Sequence, residues 1–313
     1  MPTVDTANNM IYFGDETGIL HGVQDNGSSY SLNWTLDLSA QIATTASIDS
    51  KGILYVVQSV PAPSSLFAIN TVGSSAGTIR WKYQTTLGEA GLSYSSPAID
   101  TQDRVYIFTG SDNFADPNYC NFFIISDEED DTGGGGSAVL NSHQRFGPFA
   151  IDDTSSNYVN SSSNVFTLPK DFITSPIIDN DGSVIFTHGY QIVKTTNTCD
   201  NIDWSFNIVD ISNTFDIGLT PVDTIQGGSP NDYTNVTFIP SSPVVSLDGN
   251  IYVSAGNKLL VFDVDTGVMD ISYEMVSNTR NVTRSSPVLL NSRGQWGMHG
   301  FDSTRRGKRY PII

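Results

Sequence analysis

One line recurs along this chain, and it constrains the fold more than any other feature. It reads Ser-Pro, an apolar pair, a polar turn and an apolar run. It stands as PTVDTANNMIYFG from Pro2, TASIDSKGILYVV from Thr45, SPAIDTQDRVYIF from Ser96, SPIIDNDGSVIFT from Ser175, SPVVSLDGNIYVS from Ser242 and SPVLLNSRGQWGM from Ser286. The proline column falls at Pro2, Ala46, Pro97, Pro176, Pro243 and Pro287, in steps of 44 to 79 residues. Each line predicts a hairpin. Two β-rich runs flank a turn of Asp, Asn and Gly, residues that reach positive φ at low cost. Proline at a strand start is tolerated because an edge position needs no donor.

Further strands follow most lines. The fifth unit continues as LLVFDVDTGVMDISYEM from Leu259, a strand, an Asp-Thr-Gly turn and a strand. The first gives GILHGVQ and YSLNWTL, the second LFAIN and TIRWKYQ, the fourth YQIVKTT and IDWSFNI. A unit of four short strands recurring every 40-odd residues is the blade of a β-propeller. The expected fold is therefore all-β, a single propeller over residues 1–313 with about six units starting near 2, 46, 97, 176, 243 and 287. The last unit is incomplete, since 26 residues follow Pro287. Trp34, Trp81 and Trp204 fall on the last strand of their units, with Ile271 near that place in the fifth, and are expected to pack between blades. SDEEDDTGGGGS, from Ser126 to Ser137, reads as a solvated loop between strands, and the polar stretches after it and after Ile217 read as loop insertions.

These units resemble the PQQ-like repeat, whose pattern is a Ser-Pro strand, a GxIYV-like strand, an LxAxDxxTG strand-turn and a closing Trp strand. WGMHGFDSTRRG, from Trp296, is similar to that family's Trp-x-Met/Phe-x-Gly-x-Asp segment, and it adds Trp296 to the blade-packing residues. The resemblance implies a propeller and says little about activity. In the quinoprotein dehydrogenases of this type it would imply a quinone over the ring axis, a bound Ca²⁺ and a disulfide between adjacent cysteines. This chain has no adjacent cysteines and no recognisable catalytic Asp segment. The reading is a non-catalytic branch without a cofactor, with a quinone- and calcium-dependent dehydrogenase as the enzymatic alternative.

Asp179-Asn-Asp-Gly-Ser opens like a calcium loop, which makes Asp179 and Asp181 the candidate metal ligands. The twelfth position of a full loop requires Glu and holds Tyr190, so the segment reads first as a hairpin turn. No GxSxG and no phosphate-cradling Gly-rich loop occurs. Cys120 and Cys199 each lie 23 residues after their unit's proline, and the pair is open to one disulfide or to two free thiols.

Charge supplies the last constraint. Of 33 acidic residues 28 are Asp, a bias toward turns rather than helices, and the net charge is −18. That charge excludes nucleic acid, whose backbone requires clustered Lys and Arg. From Arg280 onward the balance inverts, with seven basic residues against Asp302 alone. The tail over 303–313 carries Arg305, Arg306, Lys308 and Arg309, the candidate contacts to an acidic partner. No apolar run approaches the roughly 18 residues of a membrane span, and no signal peptide opens the sequence. Sequons at Asn26, Asn33, Asn160, Asn235 and Asn281 are candidate N-glycosylation sites if the chain is secreted. The functional expectation is a module that binds protein or assembles with itself outside the cytoplasm. A glycan-binding propeller at the cell surface is a further alternative.

Overall fold

A computed structural model describes residues 2–42, 44–58, 64–85, 95–110, 120–129, 135–146, 158–159, 165–166, 174–188, 191–207, 241–255, 258–274 and 295–296. The first sheet holds β1 (Thr3–Asp5), β2 (Met10–Gly14), β3 (Ile19–Asp25) and β4 (Tyr30–Asp37). The second holds β5 (Ser47–Ile48), β6 (Ile53–Gln58), β7 (Ser65–Asn70) and β8 (Ile79–Gln84). The third holds β9 (Ala98–Ile99), β10 (Val105–Gly110), β11 (Cys120–Glu129) and β12 (Gly136–Phe146). A short hairpin, β13 (Tyr158–Val159) and β14 (Val165–Phe166), follows. The fourth sheet holds β15 (Ile177–Ile178), β16 (Val184–His188), β17 (Gln191–Thr195) and β18 (Ile202–Asn207). The fifth holds β19 (Val244–Val245), β20 (Asn250–Ala255), β21 (Lys258–Asp263) and β22 (Met269–Glu274). A last strand, β23 (Gln295–Trp296), joins the fourth sheet beyond β15.

The repeated line makes the first two strands of each sheet, and its aspartate makes the turn. Asp49 Oδ1 accepts the backbone N–H of Lys51 and Ile53 at 2.9 and 2.8 Å. Asp100 Oδ1 does the same for Gln102 and Arg104, both at 2.9 Å. Ser246 stands in that column in the fifth sheet and accepts from Asn250 N–H at 3.1 Å. Three residues after the column the backbone turns left-handed, at Gly52 (φ 83°), Asp103 (61°), Gly182 (88°) and Gly249 (89°). Glycine meets that requirement without a steric penalty.

Consecutive sheets share apolar layers. One layer joins the first and second sheets through Tyr12, Leu20, Leu54, Val56, Phe67 and Ile69. Others join the second to the third, the third to the fourth and the fourth to the fifth. In the described Ser-Pro pairs the serine ties the inner strands together. Thr45 N–H donates to Ser96 Oγ at 3.0 Å, Ser96 N–H to Ser175 Oγ at 3.0 Å, and Ser175 N–H to Ser242 Oγ at 3.1 Å. The hydroxyls are buried, so each rung satisfies a donor that water cannot reach. Proline follows because its position needs no donor of its own.

One expectation changes. The acidic run is not a loop from Ser126: β11 extends through Glu129 and β12 starts at Gly136, paired Glu129 to Gly136. Asp127 is fixed there by partners on the second sheet, which converts an apparently solvated run into strand. Of the last repeat line only Gln295–Trp296 is described, and it pairs with Ile178 and Ile177 of β15; the rest of that line lies outside the described residues. The inner edge of β15 offers unpaired backbone groups that this strand takes up.

Candidate interaction surface

Sheet register identifies equivalent positions across units. Tyr12 pairs with Gly22 in the first sheet as Tyr55 pairs with Ala68 in the second. Ile11, Phe13, His21 and Val23 therefore occupy the places of Leu54, Val56, Phe67 and Ile69. In the second sheet those four are at most 4% exposed, packed on the first. Their equivalents in the fifth sheet, Ile251, Val253, Leu260 and Phe262, are fully buried against the fourth. In the first sheet Phe13 is 36% exposed, and Ile11, His21 and Val23 are half-buried. Among the described residues no apolar layer joins the fifth sheet to this face. The face continues onto β4 through Leu32, 58% exposed and paired with Val23, and Tyr30, 80% exposed and paired with Asp25.

Polar groups frame it. Phe13 and His21 stack at 4.9 Å, and His21 Nε2 lies 3.0 Å from Asp15 Oδ2. Hydrogen bonds from the Thr17 hydroxyl, then from His21 and the backbone of Ile19, hold the Asp15 carboxyl well below the usual carboxylate range. Glu16, Asp25 and Asp37 add exposed negative charge around the same sheet.

The outer strands differ from one another in one informative column. Every described four-stranded sheet breaks register once, just beyond the residue pairs Gly22–Trp34, Ala68–Trp81, Ile124–Ser142, Lys194–Trp204 and Val261–Ile271. These bulges set the tryptophans against the next sheet. A Cβ on Gly77 would lie 2.8 Å from the Trp34 ring, and one on Gly267 would lie 2.5 Å from Trp204. Trp204 Nε1 donates to Val264 O at 3.1 Å. Trp81 Nε1 donates to Asp127 Oδ1 at 2.7 Å, and Arg80 Nε donates to the same oxygen at 2.9 Å. The Arg80–Asp127 pair is buried, at 7% and 4% side-chain exposure. The residue two before the pairing partner of Ile69 or Phe262 is Gly77 or Gly267, and the same count in the first sheet lands on Tyr30. The first sheet thus presents a large exposed ring where two other sheets present the glycine that receives a tryptophan.

The remaining sequence candidates fall as follows. Asp179 Oδ1 accepts from Asn180 N–H at 2.8 Å, and Asp181 Oδ1 from Ser183 N–H and Oγ–H at 2.9 and 2.6 Å. Burial pushes the Asp181 carboxyl up, but the Ser183 donors and the Lys194 charge outweigh it and the net shift is down. Lys194 Nζ lies 4.0 Å from Asp181 Oδ2 and donates to Val264 O at 3.2 Å, so a cation already stands beside this turn. Among the described residues no group of three or more His, Cys, Asp or Glu side chains is placed to hold a metal ion. Cys199 is a buried free thiol 3.6 Å from Gly182 O, and burial pushes it up to about 11. The side chains of Cys120 and Trp296 lie outside the described residues, as do Asn160, Asn235, Asn281 and the tail residues Arg305, Arg306, Lys308 and Arg309. Asn26 and Asn33 are exposed on the β3–β4 hairpin of the first sheet. Sequence reasoning missed the serine rungs and Asp127. The hydroxyl that precedes the proline column in five of the six lines was the available signal for the rungs; for Asp127 there was none.

No protein-family model matches the chain, and no curated protein matches it. Among solved structures, Sqt1 of Saccharomyces cerevisiae superposes with a TM-score of 0.52 at 9% identity, covering 88% of this chain and 62% of that one. The WD40 β-propeller domain of Doa1 follows at 0.48 and 9% identity, covering 87% and 67%. At that identity the likeness to Sqt1 is one of fold, and this chain spans less than two thirds of the Sqt1 chain. No helix among the described residues is long and apolar enough to cross a membrane.

Proposed function

We propose that this chain is a non-catalytic β-propeller of about six PQQ-like units that binds protein or assembles with copies of itself, outside the cytoplasm. The observation that carries the reading is the outward face of the first sheet. The central positions of this face are buried between neighbours in the second and fifth sheets, whereas here Phe13 is exposed and Ile11, His21 and Val23 are half-buried. Apolar surface of this kind marks an interaction site. The ionisable side chains support the same reading. Asp49, Asp100, Asp127 and Lys194 bind turns or tie sheets together. The charge asymmetry of the sequence adds a second means of contact, in which the tail of Arg305, Arg306, Lys308 and Arg309 meets the acidic body of a neighbour.

Light scattering on the intact chain and on a chain ending before Arg305, at low and high salt, tests this. Assembly of the intact chain at low salt, lost on truncation or on salt addition, is the expected outcome, since exposed charge contacts are screened within about 8–10 Å at physiological salt. Monomers at every salt for both chains would remove self-assembly from the reading.

A further inference from the structure

We infer that the segment 303–313 of this chain docks on the outward face of the first sheet. This rests on the self-assembling reading above, in which the segment comes from a neighbouring copy, and it makes the apolar face and the basic tail two halves of one contact. Sheet register gives the face an apolar centre. Ile11 pairs with Val23, Val23 with Leu32, and Phe13 with His21, so these side chains share one side of the sheet. Register also gives it an acidic end. Ile19 stands two residues before His21 on the same side and pairs with Asp37. The Asp15–Ile19 turn closes that same end, where Asp15 N–H donates to Ile19 O at 3.0 Å. Asp15, Glu16 and Asp37 are thereby gathered there, and Glu16 and Asp37 are exposed.

The occupant follows from charge and from its order along the chain. Residues 1–50 contain six acids and no Lys or Arg. The other four-stranded sheets each carry a cation on a strand, at Lys82, Arg145, Lys194 and Lys258. The first sheet therefore lacks any cation of its own to balance its acids. The segment 303–313 supplies Arg305, Arg306, Lys308 and Arg309 and no acid, and Tyr310, Ile312 and Ile313 follow them. The segment thus runs from basic to apolar, as the face runs from acidic to apolar. Arg309 to Ile313 is four residues, about 13 Å of extended chain, and so is Ile19 to Val23 on β3. With its bases over Asp15, Glu16 and Asp37, the segment lays its apolar end across Phe13, Val23 and Leu32. Pro311 has no N–H to give a strand edge, which suits a chain lying over side chains. The other bases of this region, Arg280, Arg284 and Arg293, stand singly among polar residues and lack the apolar end.

A synthetic peptide of residues 303–313 is the probe, read by fluorescence anisotropy in about 0.1 M salt. The receptor is the full-length chain carrying Arg305→Gln, Arg306→Gln, Lys308→Gln and Arg309→Gln, so that no native segment competes. Three pairs of changes are made in it, all at exposed positions that leave the fold intact. Glu16→Gln with Asp37→Asn discharges the acidic end, and Asn keeps the acceptor that Asp37 Oδ1 offers Ser39 N–H. Phe13→Ala with Leu32→Ala trims the apolar centre. Asp203→Asn with Asp270→Asn removes the same charge from β18 and β22 as a control. We expect the dissociation constant to rise about tenfold for the acidic pair, as two exposed ion pairs allow, at least about threefold for the apolar pair, and less than about twofold for the control. Equal weakening by the acidic and control pairs means general attraction to an acidic body and overturns the inference, as does a peptide that no chain binds. Light scattering on the Glu16→Gln, Asp37→Asn chain with its native tail separates this inference from the reading beneath it. Assembly undiminished there overturns docking on this face and leaves self-assembly standing. Face-specific peptide binding by a chain that stays monomeric at every salt upholds the docking contact and overturns self-assembly.

Discussion

At the scale of single residues, the repeated line encodes a turn twice over. An aspartate captures the backbone donors, and three residues later a left-handed position closes the turn. Gly52 sits at φ 83°, and an added Cβ would meet nothing closer than Thr71 Oγ1 at 3.5 Å. Gly52→Ala therefore isolates the backbone cost. It should lower stability by about 1–2 kcal/mol, measured as a shift in the urea midpoint with an unchanged slope. Asp103 fills the equivalent place at φ 61° and recovers part of that cost by accepting from Ser50 N–H at 3.0 Å on the second sheet. The Cys199 thiol gives a second expectation. Burial raises it to about 11, so at pH 8 its thiolate is scarcer than that of an exposed cysteine. Alkylation at pH 8 should be slow in the native protein and speed up on denaturation. Rapid native labelling of Cys199 would contradict its burial. The turn residues were legible in the sequence because their chemistry is local. Asp127 was not, because it sits in an acidic run and its partners Arg80 and Trp81 lie 47 and 46 residues away.

At the scale of strands and sheets, the tryptophan column was legible and its receiving position was not. Tryptophan on an outer strand suggests packing between sheets. That Gly77 and Gly267 are its seats depends on bulges, which shift register without any sequence mark. The pairing makes a quantitative expectation. Trp204→Ala should cost about 3 kcal/mol, and Gly267→Ala should cost about 1–2 kcal/mol from its φ of 68° alone, more from contact with the ring. With the ring gone the added methyl no longer clashes. The double variant should therefore be more stable than the sum of the two predicts, by roughly 1 kcal/mol in a thermodynamic cycle. Strict additivity would mean that Trp204 does not rest on Gly267. The same scale explains the last repeat line, whose strand was legible while its partner was not. Strand propensity says nothing about which edge is open, and Gln295–Trp296 lies on β15.

At the scale of the molecule, the all-β character and the unit order were legible from the spacing of six repeat lines. The serine of each line was visible too, but its role needs two units side by side. Ser175 accepts from Ser96 N–H and donates its own N–H to Ser242 Oγ. Ser175→Ala strands a buried donor and should cost about 1–3 kcal/mol. Ser175→Thr keeps the hydroxyl and should cost distinctly less. Equal losses, read from thermal midpoints, would show that shape and not the hydroxyl sets the cost.

The rungs also bear on how such a chain can grow. From the second unit to the fifth, each unit offers the next the same donor and asks of it the same acceptor. A duplicated unit placed between two others finds both of its contacts ready-made. Steps of 44 to 79 residues then become intelligible, because extra sequence accumulates between rungs without disturbing them. The hydroxyl residue at the head of the second to fifth lines acts as a standard coupling. Variation in the loops is the freedom that a fixed coupling leaves to inheritance.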